Sequence, residues 1–233
     1  NPEMAERTLV DTLARLDQMF AQPAFANLEE VRGEGMEVLL SDHLTGRDMR
    51  LHGAEVSLAR DADGLSLEIA GDLAGSRDAS LRLTLVRDAA RESTQVAMEF
   101  DTLAARDLAA AAPALAWLDL MRAAVDGQLT AVMEDDGTLG ALAGWLEVGS
   151  GHLTLPGLDD PLDFDAMEAR IAYDPETSRA TFERLMLASD PLSFDANGHA
   201  DVGDQGQVFI GQFSLSDIIA DPDGNWVELL EAA

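Results

Sequence analysis

The sequence predicts a β-rich α+β fold: a curved antiparallel meander sheet that forms a groove or half-barrel, with an N-terminal helix and a central helical insert. Residues 94–100 alternate, with Val96, Met98 and Phe100 on one side, which is typical of a half-buried strand. Turn sequences of the Asp-Gly type separate similar runs at short intervals, as in a meander. One alanine-rich run, residues 107–125, changes to helical spacing.

The N-terminal segment, residues 1–24, is predicted to be an amphipathic helix. Leu9, Leu13, Leu16 and Phe20 recur at helical spacing, and charged residues occupy the other positions. One interpretation is a helix that binds a membrane surface or a partner; the other is a helix that covers an open end of the sheet. The polar positions are not predominantly basic, which favours the second interpretation.

Residues 25–103 are predicted to form a first antiparallel β subdomain with one apolar and one solvated face. A helical insert follows at residues 104–126, in which Asp107 is the expected N-cap. Pro113 lacks the N–H that a helix interior needs, so two short helices or a kink are expected there. Met121 and Val125 continue the helical spacing.

Residues 127–233 are predicted to form a second antiparallel β subdomain that ends in a short helix capped at Ser216 and Asp217. Its expected strands cover residues 129–133, 142–148, 153–155, 162–173, 179–188, 190–202 and 207–213. The helical insert is therefore the expected boundary between two β subdomains.

The composition excludes several classes of partner. The 233 residues carry 44 acidic and 15 basic side chains, all of the latter arginine, for a formal net charge of -29. Such a surface repels nucleic-acid phosphates and anionic lipid headgroups. The chain has no cysteine, which excludes disulfides and thiolate sites but leaves the compartment open. No apolar run is long enough to span a membrane. Because the chain begins at Asn1 without an initiator methionine, we expect a piece of a longer protein.

No pattern predicts an enzyme, a metal site or a cofactor. The four histidines, His43, His52, His152 and His199, are far apart and lack metal-ligand spacing. Residues 221–232 begin like a calcium loop but have glycine at the fourth position and Ala232 at the twelfth. Carboxylate pairs alone are compatible with a glycosidase, although an aromatic content of 5% provides few sugar-stacking rings.

Spaced glycines, prolines and apolar residues recur over most of the chain, from about residue 25 to residue 215. Their principal stretches are residues 35–38, 58–60, 100–103, 113–118, 126–129, 149–156, 172–174, 185–187, 198–200 and 211–215. In these stretches the chain resembles the AsmA-like, YhdP-type proteins of Gram-negative bacteria, which are related to TamB and to bridge-like lipid-transfer proteins.

The resemblance implies a periplasmic segment of a protein that is anchored in the inner membrane and carries phospholipid toward the outer membrane along an apolar β-groove. Its expected partners are phospholipid acyl chains and neighbouring β-groove units of the same longer chain, without nucleic acid and without a transmembrane segment of its own. The residues expected to line the groove are Met36, Val38, Leu40, Val56, Leu58, Leu65, Leu67, Ile69, Leu81, Leu83, Leu85, Val96, Met98, Phe100, Leu129, Met133 and Leu146.

The sequence is compatible with two functions, a lipid-carrying groove and a protein-binding scaffold. The same apolar residues are also what an ordinary protein core needs, and the two helical segments could fill the groove. In that case the chain is a β-rich scaffold or assembly module of the cell envelope that binds proteins through exposed sheet edges.

Overall fold

A computed structural model describes residues 29–42, 47–60, 64–74, 79–88, 93–109, 113–134, 139–154, 161–189, 193–202 and 208–219 of the chain. The predicted N-terminal helix, residues 221–232 and several predicted turns lie outside these residues. Within them, 14 strands form two antiparallel sheets. Their bounds are β1 (Glu30–Asp42), β2 (Arg47–Arg60), β3 (Gly64–Leu73), β4 (Ser80–Asp88), β5 (Ser93–Ala104), β6 (Met121–Arg122), β7 (Ala124–Glu134), β8 (Leu139–Val148), β9 (Gly151–Leu153), β10 (Leu162–Phe164), β11 (Ala166–Asp174), β12 (Arg179–Ala188), β13 (Ser193–Val202) and β14 (Val208–Ile219).

The larger sheet has eleven strands in the order β1-β2-β3-β4-β5-β7-β8-β11-β12-β13-β14. It is a curved antiparallel meander that is not closed into a barrel, as the sequence predicts. The remaining three strands form a small sheet in the order β10-β9-β6. Because β5 pairs directly with β7, the strands on both sides of the helical insert belong to one continuous sheet. The division into two subdomains stays a prediction.

The insert consists of two short helical segments, as Pro113 predicts. Helix α1 covers Ala105–Ala109, and a 3₁₀ helix covers Pro113–Leu120. Asp107 is not the N-cap, since α1 begins two residues earlier. It lies instead in the first turn, where a carboxylate interacts favourably with the helix dipole.

Three other boundaries differ from the prediction because strand pairing overrides local propensity. Met121 and Val125, predicted to be helical, lie in β6 and β7, where they pair with β9 and with β5 and β8. The predicted strand 162–173 is divided at Asp165: β10 joins the small sheet and β11 the large one. The predicted C-terminal helix at Ser216 and Asp217 is wrong, because this stretch continues β14 in pairing with β13.

Two glycines allow the centre of the sheet to pack. Phe100 and Gly127 lie directly opposite each other on β5 and β7, and a Cβ on Gly127 would lie 3.1 Å from Cζ of Phe100. A Cβ on Gly144 would lie 2.7 Å from Cδ2 of Leu129 and closer still to the Gln128 carbonyl oxygen. The missing side chains therefore provide the space that Phe100 and Leu129 occupy.

Replacing Gly144 with alanine is expected to lower the free energy of unfolding by about 1–3 kcal/mol, because the added methyl group overpacks the sheet. Gly149→Ala is the matched control, since its Cβ would meet only the Ala124 carbonyl oxygen, at 3.8 Å. Urea denaturation of both variants measures the difference. Equal midpoints would show that the sheet has room at Gly144.

Candidate functional site: the apolar face of the sheet

The apolar face of the large sheet consists of rows of residues that lie opposite one another on successive strands and therefore point to the same side. We name two of them. The middle row is Val56, Ile69, Leu83, Met98, Leu129, Gly144, Ile171, Phe182, Gly198 and Phe213. The lower row is Leu58, Leu67, Leu85, Val96, Ala131, Leu142, Tyr173, Ala180 and Ala200.

The helical insert supplies part of the core on this face. Leu108, Leu115 and Leu118 of the insert are fully buried in the main core cluster. The sheet contributes residues from β2 to β13 to the same cluster, and Trp117 of the 3₁₀ helix packs edge-on against Phe182 with ring centroids 5.7 Å apart. From β7 to β12 the side chains of the middle row, at Leu129, Ile171 and Phe182, are therefore buried.

The middle row is less buried between β2 and β5 than between β7 and β12. Its members on β2, β3, β4 and β5 are each only half-buried, and so are Leu67 and Val96 of the lower row. We name these six residues the open strip: Val56, Leu67, Ile69, Leu83, Val96 and Met98. Ile69 and Met98 of the strip pack against the main core. Leu67, Leu83 and Val96 pack against a second, smaller cluster, which is formed by Leu58, Leu65 and Leu85. The strip contains no charged residue.

The residues predicted to line a groove thus fall into three groups. Buried in a core or beside it are Leu58, Leu65, Leu81, Leu85, Phe100, Leu129, Met133 and Leu146. Half-buried are Val38 and the six residues of the open strip. Met36 is exposed, and the side chain of Leu40 lies outside what the structure describes.

Sequence reasoning missed several residues of this face. Leu51 and Ala54 are fully buried on β2. They are three positions apart, whereas residues on one face of a regular strand are two or four apart. The irregularity is a register shift between His52 and Glu55, where Gly53 has φ 59°. Ile171 and Phe182 lie in the middle row. Alternation from Met167 to Tyr173 was a signal for the first of these.

The opposite face of the sheet carries arginines that bridge carboxylates on neighbouring strands. Arg184 on β12 contacts Glu168 on β11 at 3.2 Å and Asp195 on β13 at 3.0 Å. Arg179 on β12 donates to Asp201 on β13 at 2.8 Å. These side chains are about half exposed, and such ion pairs contribute little stability individually, about 0–1 kcal/mol. They keep this part of the opposite face hydrated.

No grouping in the described part of the chain suggests metal chemistry: no three histidine, aspartate or glutamate side chains there are arranged to hold a metal ion. His152 and Asp163 of the small sheet form an exposed pair, with Nδ1 2.5 Å from Oδ1.

Among the described helices, none is long and apolar enough to cross a membrane.

Comparisons with known proteins give no family assignment. No protein-family model, no curated protein and no solved structure matches this chain.

Leu118→Ala is expected to lower the free energy of unfolding by about 2–5 kcal/mol, because it leaves a cavity in the core beneath the insert. The control is Leu120→Ala in the same 3₁₀ helix, where the side chain is 36% exposed compared with 0% for Leu118. Chemical denaturation compares the two variants. Similar small losses would mean that the insert is a detachable cover rather than part of the core.

The Asp201 carboxylate is expected to titrate below the ordinary aspartate range, because the hydrogen bond from Arg179, reinforced by its charge, lowers the pKa of Asp201. A lowered folded-state pKa means that this interaction stabilises the fold above the ordinary aspartate pKa and is lost as the pH falls through the folded-state value. Carboxyl NMR titration should show the pKa rising in Arg179→Gln. Arg170→Gln, on the neighbouring strand β11, is the control and should leave the titration of Asp201 unchanged.

Proposed function

We propose that this chain is a segment of a periplasmic, inner-membrane-anchored envelope protein, and that its apolar β-face carries phospholipid acyl chains between the inner and outer membranes. The observation that supports the proposal is the open strip. Six large apolar side chains on four adjacent strands lie on the apolar face of the sheet. Each of them is half-buried.

The energetics of the open strip favour an apolar ligand. Apolar surface removed from water contributes about 25 cal/mol per Å², so a contiguous strip of valine, leucine, isoleucine and methionine gains from any hydrocarbon that covers it. Met98 adds an unbranched, polarizable side chain that adapts to variable ligand shapes. Since the strip has no charged residue, it suits acyl chains, and a headgroup would remain in water.

The free edges of the sheet support placement within a longer β assembly. Each of the two outermost strands, β1 and β14, pairs with a single partner among the described residues. Their unpaired backbone groups provide a template for further strands. Neighbouring β-groove units of the same longer chain are the partners that this arrangement suits.

A second candidate function rests on the exposed apolar side chains at the β1 edge. Val31, Met36 and Leu39 are each more than 40% exposed, which favours a scaffold that binds another protein through apolar side-chain contacts at this edge. This interpretation requires a lipid-free protein. Lipid content therefore discriminates the two functions directly.

The purified chain is expected to carry phospholipid, detectable by native mass spectrometry and by lipid extraction of the same sample. A Leu67→Gln, Met98→Gln double variant should lose most of it, because two amides in the open strip must be desolvated without partners when an acyl chain covers them.

The matched control is Val86→Gln on the hydrated face, where Val86 is 41% exposed. This variant should retain the bound lipid, and circular dichroism should show all three proteins folded. A folded, lipid-free parent chain that takes up no added phospholipid would exclude the lipid function for this segment and favour the scaffold.

A further inference from the structure

The opposite face of the large sheet has a concavity of about 260 Å³ on strands β8, β11 and β12. Trp145 of β8 borders it and is 41% exposed. Among the large hydrophobic side chains that the structure describes as exposed, Trp145 is the only aromatic one. Arg170 lies directly opposite Trp145 on β11, and Arg184 lies opposite Arg170 on β12. Concavities that combine an aromatic ring with a few polar groups are typical of ligand sites.

Two charged side chains of this concavity have no partner among the described residues. Arg184 pairs with Glu168 and Asp195, whereas neither Arg170 nor Glu147 makes an ion pair or a side-chain hydrogen bond within the described part of the chain. Because Glu147 lies opposite Glu168, Glu147 and Arg170 are diagonal neighbours, about 7 Å apart at Cβ. A hydrogen-bond donor and an acceptor of opposite charge therefore line one concavity without bonding to each other.

The charges around the concavity restrict the class of ligand. The carboxylates of Glu147 and Glu168, together with the net charge of -29, repel an anion. The guanidinium groups of Arg170 and Arg184 repel a cation placed over the ring of Trp145. A purely apolar ligand would desolvate the free polar groups without giving them partners. A neutral ligand with many hydroxyl groups and one apolar face avoids all three costs.

We propose that this concavity binds a neutral saccharide. The C–H face of a sugar ring packs on the exposed indole of Trp145, which offers a large, rigid apolar surface. Sugar hydroxyls accept hydrogen bonds from Arg170 and donate to Glu147, and such charge-assisted bonds are stronger than neutral ones. Since a hydroxyl group is both donor and acceptor, neighbouring hydroxyls of one ring bridge the diagonal pair.

The site is independent of the proposed lipid function. Trp145 follows Gly144 of the middle row, so its side chain lies on the other face of the sheet from the open strip. The concavity extends over two strand spacings from β8 to β12, about 10 Å. It therefore suits a short stretch of an oligosaccharide.

The test measures binding to the purified chain by isothermal titration calorimetry, with cellohexaose and chitohexaose as neutral probes and an oligogalacturonate as an anionic probe. Trp145→Ala is expected to weaken binding of the neutral probe at least about tenfold, because it removes the surface on which the ring packs. A double variant, Glu147→Ala with Arg170→Ala, should weaken it similarly through the lost hydrogen bonds. The matched control is Val86→Ala on the same face, since Val86 is also 41% exposed but lies outside the concavity.

A parent chain that binds neither neutral probe would overturn the site. So would unchanged binding in Trp145→Ala and in the double variant, both shown to be folded by circular dichroism. Tighter binding of the oligogalacturonate than of both neutral probes would overturn the neutral class of ligand. If Trp145→Ala does not fold, the double variant decides, because both of its changes are at exposed side chains. None of these results bears on the lipid function, since the probes carry no acyl chain.

Discussion

The structure depends on one constraint: an eleven-stranded sheet with one apolar face must remove that face from water. A meander cannot do so by itself, because consecutive strands lie side by side in a single layer. The chain meets the constraint at the seam between β5 and β7, where it leaves the sheet to form α1 and the 3₁₀ helix and then returns. The insert supplies a second layer with leucines that are fully buried. Among the described residues, the insert is the only second layer over the large sheet, and the six residues of the open strip are half-buried rather than buried.

The position of the insert also explains why the strip ends where it does. Leu129, Ile171 and Phe182 continue the middle row from β7 to β12, although the register shifts after Ala131 and after Arg170. Nothing in their chemistry separates them from Val56, Ile69 and Leu83. They are buried because Trp117 and its neighbours contribute to the core on that side. Burial here is a property of what covers a residue rather than of the residue itself.

For this reason the sequence predicts the fold better than the site. Period-two alternation determines which residues share a face, so the curved meander and most strands of the sheet are confirmed. Helix bounds were less accurate, because leucine and alanine spacing continues past Leu120 into β6 and β7, where backbone pairing takes precedence. The seventeen predicted groove residues share an apolar pattern, yet eight are buried and one is exposed. Which of these residues are buried depends on where the insert packs, and the alternation of apolar and polar residues does not predict that position.

The two edges of the sheet show how local backbone geometry can give direction to an otherwise repetitive architecture. Strand β1 combines a bulge at Gly35 with charged side chains at Glu30, Arg32 and Glu34, features that weaken pairing with a further strand. In β14 the residues from Val208 to Ser216 carry no charge. The β14 edge is therefore better suited to strand addition, and the β1 edge to side-chain contacts through its exposed Val31, Met36 and Leu39.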